Sequence, residues 1–149
     1  MKKVFHLLIM SCVLLLSSVA SAESDLAIEI TQGVDEPTPV AIVPFAWSGS
    51  SALKENIAQI VSADLGRTGL FSMMDPTTML SFPTQQDQIY YRDWRLSKTE
   101  FLVIGRQIPA EGTQIKVEFE LYDVLKEQRL LSERVSGTQD NLRDIAHYI

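Results

Sequence analysis

Residues 40–45 read Val-Ala-Ile-Val-Pro-Phe, a continuous apolar run of strand length. A run without polar alternation is typical of a strand that is buried on both faces of a sheet. Pro44 has no N–H to contribute to a strand ladder, so we expect the strand to end there. This segment favours an α/β domain that begins near Val40.

The clearest helix of the chain follows this strand. Its apolar residues recur at helical spacing and form one stripe: Leu53, Ile57, Ile60, Val61 and Leu65. Ser51 is the predicted N-cap, because a serine hydroxyl can accept a hydrogen bond from the first free amides of a helix. Gly66 or Gly69 is the predicted C-terminal stop.

The remaining elements complete a mixed pattern. Strands are predicted at 70–74, 101–105, 115–121 and 130–135, and helices at 90–98 and from Asp140 onward. Trp94 is the largest predicted buried side chain of the shorter helix. In the strand predicted at 115–121, apolar residues alternate with polar ones, and the alternation continues to Tyr122. This pattern predicts a strand with one face exposed to solvent. The order β-α-β-α-β-β-β-α predicts a mixed β-sheet packed with helices, an α/β or α+β sandwich.

Composition narrows the class of protein. The chain has 149 residues, 13 Lys+Arg against 19 Asp+Glu, and a formal net charge of −6. This length supports one domain, or one domain with a tail. With 46% hydrophobic and 21% charged residues, the composition is that of a globular protein. The acidic balance argues against nucleic acid as a partner, because such binding needs a concentrated basic surface.

The first 22 residues have the three parts of a secretory signal peptide. Lys2 and Lys3 precede an apolar stretch, and Ala20-Ser21-Ala22 fits the small-residue cleavage pattern, so we expect cleavage after Ala22. The apolar stretch is shorter than the ~20 residues that span a membrane. The sequence therefore predicts an exported protein that is not inserted in a membrane once the signal is removed.

A different N-terminus is the main alternative. Residues 9–12, Ile-Met-Ser-Cys, loosely resemble a lipoprotein cleavage box, and lipid on Cys12 would tether the chain to a membrane. The chain would then be a stand-alone envelope lipoprotein or a ligand-binding module. Met10 is unusual in such a box, and the apolar run continues beyond Cys12, so we favour the signal peptide.

Few residues can carry chemistry after cleavage. Removal of residues 1–22 takes away the only cysteine and leaves His147 as the only histidine, so no thiolate or histidine-based site can form. His147 is predicted to be a surface residue of the last helix. No phosphate loop or dinucleotide fingerprint is present. We therefore predict no catalytic, cofactor-binding or metal-binding residues, no cofactor, and no enzymatic activity.

Three groups of residues each allow both a functional and a structural interpretation. Glu118 and Glu120 share one strand face about 7 Å apart, which could imitate a catalytic carboxylate pair, but a solvated strand face is the ordinary interpretation. Asp64 could be a buried acid, although a surface pair with Arg67 at i+3 is favoured. The aromatic residues that follow the first strand, Phe45 and Trp47, could line a ligand site or plug the edge of the domain, and we favour the plug.

The segment before the domain suggests a function. Leu26, Ile28 and Ile30 alternate with other residues, as in a strand with one apolar face, and residues 33–39 contain two prolines that stiffen the connection. A strand near a free N-terminus can add to the sheet edge of a partner. The alternative is an edge strand that packs on its own domain.

Several motifs, taken in order, resemble the N-terminal domain of the TolB family. They are Ile28-x-Ile30 with Gly33-Val34-Asp35, Pro39-Val40-Ala41-Ile42-Val43-Pro44-Phe45-x-Trp47, Ile60-Val61-x-Ala63-Asp64-Leu65-x-x-x-Gly69-x-Phe71, Phe101-Leu102-Val103-Ile104-Gly105 and Leu121-Tyr122-Asp123-Val124. The resemblance implies a TolB N-terminal-domain-like (anticodon-binding-domain-like) α/β fold preceded by an extended arm. It implies a signal peptide at 1–22, a partner-binding arm and connector at 23–39, and the α/β domain at 40–149, cut within its last helix and lacking a C-terminal β-propeller.

The same resemblance implies a function. It is that of a periplasmic, non-enzymatic adaptor of the Tol–Pal system in Gram-negative bacteria, which links TolA to Pal, maintains outer-membrane integrity, supports envelope constriction at cell division and is exploited for bacteriocin import. The C-terminal domain of TolA would bind the arm, and Pal would bind the missing propeller. The arm residues so implied are Glu23, Asp25, Leu26, Ile28, Ile30 and Gly33.

Overall fold

The structure is a computed structural model and describes residues 36–149. The predicted signal peptide, the cleavage site at Ala22 and the arm residues Glu23, Asp25, Leu26, Ile28, Ile30 and Gly33 lie outside the described residues. The strands are β1 (Thr38–Ile42), β2 (Ala46–Trp47), β3 (Phe71–Met73), β4 (Phe101–Pro109), β5 (Gln114–Asp123) and β6 (Gln128–Thr138). The helices are α1 (Ile57–Arg67), α2 (Tyr91–Leu96) and α3 (Leu142–Tyr148), with short 3₁₀ turns at Pro76–Thr78 and Gln86–Gln88.

These strands form one mixed sheet in the order β3-β1-β4-β5-β6, and β2 pairs with β4 next to β1. β1 lies between β3 and β4 and is parallel to both, whereas β4, β5 and β6 are antiparallel neighbours. The central place of β1 explains its unbroken apolar sequence, because both of its faces are covered. The predicted mixed sheet packed with helices is confirmed.

Each face of the sheet has its own core. α1 and α3 cover one side, here called the helix face, where their residues pack on Val40, Ile42, Val103 and the apolar residues of β5. Residues 75–98, which include α2, cover part of the other side, here called the loop face. Trp94 is the largest predicted buried side chain of α2, and its 2% exposure within the loop-face core confirms that it is buried.

The predicted start of the first helix is wrong. α1 begins at Ile57, and its N-cap is Asn56, whose Oδ1 accepts a hydrogen bond from the Gln59 amide at 3.2 Å. Leu53 precedes the helix and still packs against the helix-face core, so the apolar stripe extends one turn further than the helix itself. Of the two predicted stops, Gly69 adopts a positive φ of 73° and lies just beyond the C-cap residue Thr68. Glycine takes this conformation without steric cost.

The prediction of one wet face for β5 is wrong at its C-terminal end. Tyr122 is fully buried on the loop face, where it meets the ring of Tyr91 edge-on at 6.4 Å. Residues 75–98 cover the C-terminal end of β5, and their largely polar sequence does not predict this contact. β5 is therefore open to solvent only along its first part on the loop face.

Candidate functional site: a charged surface on the sheet

The uncovered part of the loop face carries a row of charges across three strands. Strand register places Glu118 of β5 between Arg106 of β4 and Arg134 of β6. Arg106 Nε donates to Glu118 Oε2 at 2.6 Å, and Arg134 Nε donates to Glu118 Oε1 at 2.8 Å. One carboxylate thus joins two arginines whose positions differ by 28 residues in the chain.

A second acidic residue anchors the next row. Glu120 Oε2 accepts a hydrogen bond from the Tyr122 hydroxyl, and its Oε1 accepts one from Arg129 Nη1 at 3.2 Å. Burial and the neighbouring Glu120 raise the pKa of Tyr122, because both disfavour a phenolate. The Tyr122 hydroxyl therefore stays protonated and remains a hydrogen-bond donor. The Glu120 carboxylate is held by Tyr122 on one oxygen and by Arg129, at the edge of the sheet, on the other.

These rows line an open cleft of about 460 Å³ that is bounded on one side by residues 84–87. The carboxylates lie deep and the guanidinium groups lie outside: the side chain of Glu118 is 16% exposed, against 44% for Arg106 and 65% for Arg134. The outermost charged groups of the two strand rows are therefore guanidinium groups, whereas Asp87 lines the opposite side of the cleft. Such an arrangement can bind an acidic group through charge-assisted hydrogen bonds.

The two glutamates lie on the open part of the loop face, as the alternation favoured, but their carboxylates are not free in solvent. Each is half-buried and held by arginine. The hydrogen bond from Arg106, assisted by that from Arg134, holds the pKa of Glu118 below its usual range. A carboxylate that stays ionised in this way is a poor general acid at neutral pH. The cross-strand partners were missed because sequence spacing does not reveal register.

This lowered pKa has a consequence for stability. Because the folded pKa of Glu118 lies below the unfolded value of 4.5, its contribution is complete above pH 4.5 and is lost as the pH falls through the folded pKa. We expect Glu118→Gln to cost about 1 kcal/mol at pH 7. The difference from the wild type should shrink progressively below pH 4.5, as measured by urea unfolding at a series of pH values.

Glu133→Gln provides the control for this titration. Glu133 is an exposed residue of β6 and pairs with no arginine among the described residues. It should change stability little at any pH in the same series. A pH-independent deficit in Glu118→Gln would show that the ionised Glu118 carboxylate does not stabilise the fold.

The other candidate residues have structural positions. Asp64 accepts a hydrogen bond from Arg67, which confirms the predicted pair, and also lies 2.6 Å from His147 Nδ1. His147 is on the surface as predicted, but its contact with α1 was missed, because only the tertiary fold brings the two helices together. Phe45 is buried against Gly105, and Trp47 Nε1 donates to the Ser51 carbonyl at 2.6 Å. Both aromatic residues pack on the helix-face core, which supports the favoured structural interpretation.

Two further observations concern only residues 36–149. Within them no group of three or more His, Cys, Asp or Glu side chains is placed to hold a metal ion. No helix in this part of the chain is long and apolar enough to cross a membrane.

The fold is that of a small mixed-sheet α/β domain, shared with the C-terminal domain of LpoB from Salmonella enterica, with a TM-score of 0.54 over 72% of this chain and 87% of that one. At 11% identity this likeness shows the fold alone. The model of the TolB amino-terminal domain matches residues 26–130, and the chain belongs to the TolB family.

Individual relatives agree with this assignment. The chain is 43% identical over 132 residues to the Tol-Pal system protein TolB of Marinomonas sp. (strain MWYL1), covering 88% of this chain and 31% of the relative. It is 40% identical to the protein of the same name from Pseudomonas syringae pv. syringae, covering 89% and 30%. The crystal structure of TolB from Acinetobacter baumannii matches with a TM-score of 0.61 at 27% identity, over 76% of this chain and 26% of that one. The chain thus spans between about a quarter and a third of the length of these proteins.

Proposed function

We propose that the chain is the N-terminal part of a periplasmic, non-enzymatic adaptor of the Tol–Pal system, which links TolA to Pal. The observation that carries this proposal is the match of residues 26–130 to the TolB amino-terminal domain, together with 43% identity to a Tol-Pal system protein. In that role the protein maintains outer-membrane integrity and supports envelope constriction at cell division. Pal binds the region of the relatives that extends beyond this chain, and TolA binds the arm.

The arm suits a partner that offers a sheet edge. Its backbone N–H and C=O groups can form a ladder with that edge, and alternate side chains enter pockets. Because side chains of a strand alternate between two faces, Leu26, Ile28 and Ile30 share one face, and Ala27 belongs to the other. The proposal therefore assigns affinity to the backbone and specificity to the three aliphatic residues.

Ile28→Asp should abolish binding of the TolA C-terminal domain. It places a charge in the middle of the apolar face, where an unpaired carboxylate would have to lose its water. We expect no measurable heat on titration calorimetry at concentrations that give a clear isotherm for the wild type. The melting temperature should stay unchanged, because no core residue of the described domain is altered.

The matched control is Ala27→Asp, which introduces the same charge on the opposite face of the arm. It should retain binding within a few-fold of the wild type, since that side chain faces away from the pockets. Wild-type affinity in Ile28→Asp would contradict the arm as the TolA site. Equal loss in both variants would instead show that added acidity, and not the apolar face, weakens binding.

The N-terminus of the exported protein tests the proposed location. We expect mass spectrometry of the protein from a periplasmic extract to give a mature chain that starts at Glu23, because Ala22 closes the cleavage pattern. Ala22→Arg is the matched variant, since a large charged residue there should block processing. A diacylated Cys12 recovered from the membrane fraction would contradict the proposal and favour a lipoprotein.

A further inference from the structure

β6 forms one edge of the sheet in the described part of the chain. It is the last strand in the sheet order, and among residues 36–149 no segment pairs with its outer side. It is also the longest strand, with 11 residues, and its first seven residues are exposed. Sheet edges of this length are sites where another strand can add.

The hydrogen-bond pattern shows which backbone groups are free. The Gln139 amide donates to the Thr113 carbonyl at 2.9 Å, so these two residues form a hydrogen-bonded pair at the end of the β5–β6 ladder. Hydrogen-bonded and non-hydrogen-bonded pairs alternate along an antiparallel ladder. The N–H and C=O groups of Ser132, Arg134 and Ser136 therefore point outward, away from β5.

The two faces of this edge differ in chemistry. On the loop face, Arg129 and Arg134 stand at the edge with 46% and 65% of their side chains exposed, above the deeper glutamates of β5. On the helix face lie Leu131, which is 39% exposed, and Val135, with Glu133 between them. A strand that adds here meets cations on one side and aliphatic side chains on the other.

We propose that the outer edge of β6 binds an extended segment of a partner protein in which acidic residues alternate with aliphatic or small polar ones. The partner's backbone pairs with Ser132, Arg134 and Ser136, its carboxylates lie beside Arg129 and Arg134, and its other face packs on Leu131 and Val135. This interaction is additional to the arm and the propeller, so it does not depend on the proposed binding of TolA or Pal.

Charge argues for a foreign strand over a second copy of β6. Full antiparallel overlap of two copies centres on Glu133 and places each Glu133 carboxylate opposite its symmetry mate. Like charges directly opposite each other destabilise a strand pair. Charged residues on this exposed edge thus disfavour the fully overlapped copy, and a complementary acidic segment is the favoured occupant.

The test uses a synthetic probe, acetyl-Glu-Val-Glu-Thr-Glu-Val-Glu-amide. Its sequence reads the same in both directions, so it can pair in either orientation, and its threonine can face Glu133. Amide exchange measured by NMR should slow about tenfold at Ser132, Arg134 and Ser136 when about nine-tenths of the protein is bound. The amides of Leu131, Glu133 and Val135, which point to β5, should change little.

Two controls separate the proposal from non-specific effects. The same peptide with lysine in place of every glutamate should give no protection, because it opposes the arginines. Ser132→Pro removes one outward amide without touching the β5–β6 ladder and should reduce protection, while unchanged spectra elsewhere show that the fold persists. Arg134→Gln should weaken binding by about two- to fivefold and reduce its salt dependence.

Three outcomes would overturn the proposal. One is the absence of protection by the glutamate peptide at millimolar concentration, and another is equal protection by both peptides. The third is protection that rises with protein concentration in the absence of peptide, accompanied by a dimer in sedimentation velocity, which would assign the edge to self-association. Because TolA and Pal are absent from the experiment, failure here leaves the proposed adaptor function unaffected.

Discussion

Gly105→Ala is expected to destabilise the protein by about 2 kcal/mol, although it adds a single methyl group. A Cβ atom at this position would lie 2.6 to 2.7 Å from three atoms of the Phe45 ring. That ring is 8% exposed and belongs to the helix-face core, so it cannot move aside without disturbing its neighbours. Urea unfolding, followed by tryptophan fluorescence, measures the loss.

Gly66→Ala is the matched control because the same change should have the opposite sign there. Gly66 lies inside α1, and an added Cβ would make only an ordinary contact, 3.5 Å from Met73 Cγ. Alanine should stabilise the helix by about 0.5–1 kcal/mol. Phe45→Leu should recover part of the Gly105→Ala loss in a double-mutant cycle. Wild-type stability in Gly105→Ala would contradict the close packing of Phe45 on β4.

Trp94→Ala is expected to have the largest effect on stability, about 3–5 kcal/mol. The side chain is 2% exposed and packs in the loop-face core, and its indole N–H finds no acceptor among the described residues, so its contribution is packing. α2 has only six residues and cannot form a stable helix by itself. We therefore expect residues 75–98 to detach from the sheet and become sensitive to protease.

Leu96→Ala provides the comparison for Trp94, since this leucine lies on the same helix but is 73% exposed. Its effect should remain within about 0.5 kcal/mol. Equal protease sensitivity of the two variants would show that Trp94 does not anchor the segment. Thermal unfolding monitored by circular dichroism, with limited proteolysis in parallel, decides between the outcomes.

The parts of the fold that the sequence predicted are those determined by local pattern. β1 was evident because an unbroken apolar run is incompatible with a half-exposed strand, and α1 because its stripe has helical spacing. The start of α1 was misplaced because Leu53 continues the stripe although it lies outside the helix. Tyr122 was misplaced because a polar segment distant in sequence covers it, and no local pattern records that contact.

Local sequence pattern does not predict the charged surface. Arg106, Glu118 and Arg134 are separated by 12 and 16 residues, and only the register of β4, β5 and β6 brings them into one row. A one-residue slip of any strand would have moved its charges to the opposite face. The register of β5 and β6 also shifts between Leu121 and Tyr122. Sequence spacing therefore does not predict the contact of Arg129 with Glu120.

The topology of β1 also governs the order in which the chain can fold. β1 must insert between β3 and β4, and its pair Val40–Phe101 joins residues about 60 positions apart, whereas β5 and β6 are joined by a tight turn. Closing the long loop costs entropy that the local hairpin does not pay. During synthesis from the N-terminus, the apolar strand β1 is therefore made long before β4, the strand with which it pairs on one side. The domain can therefore complete its fold only after β4 has been made.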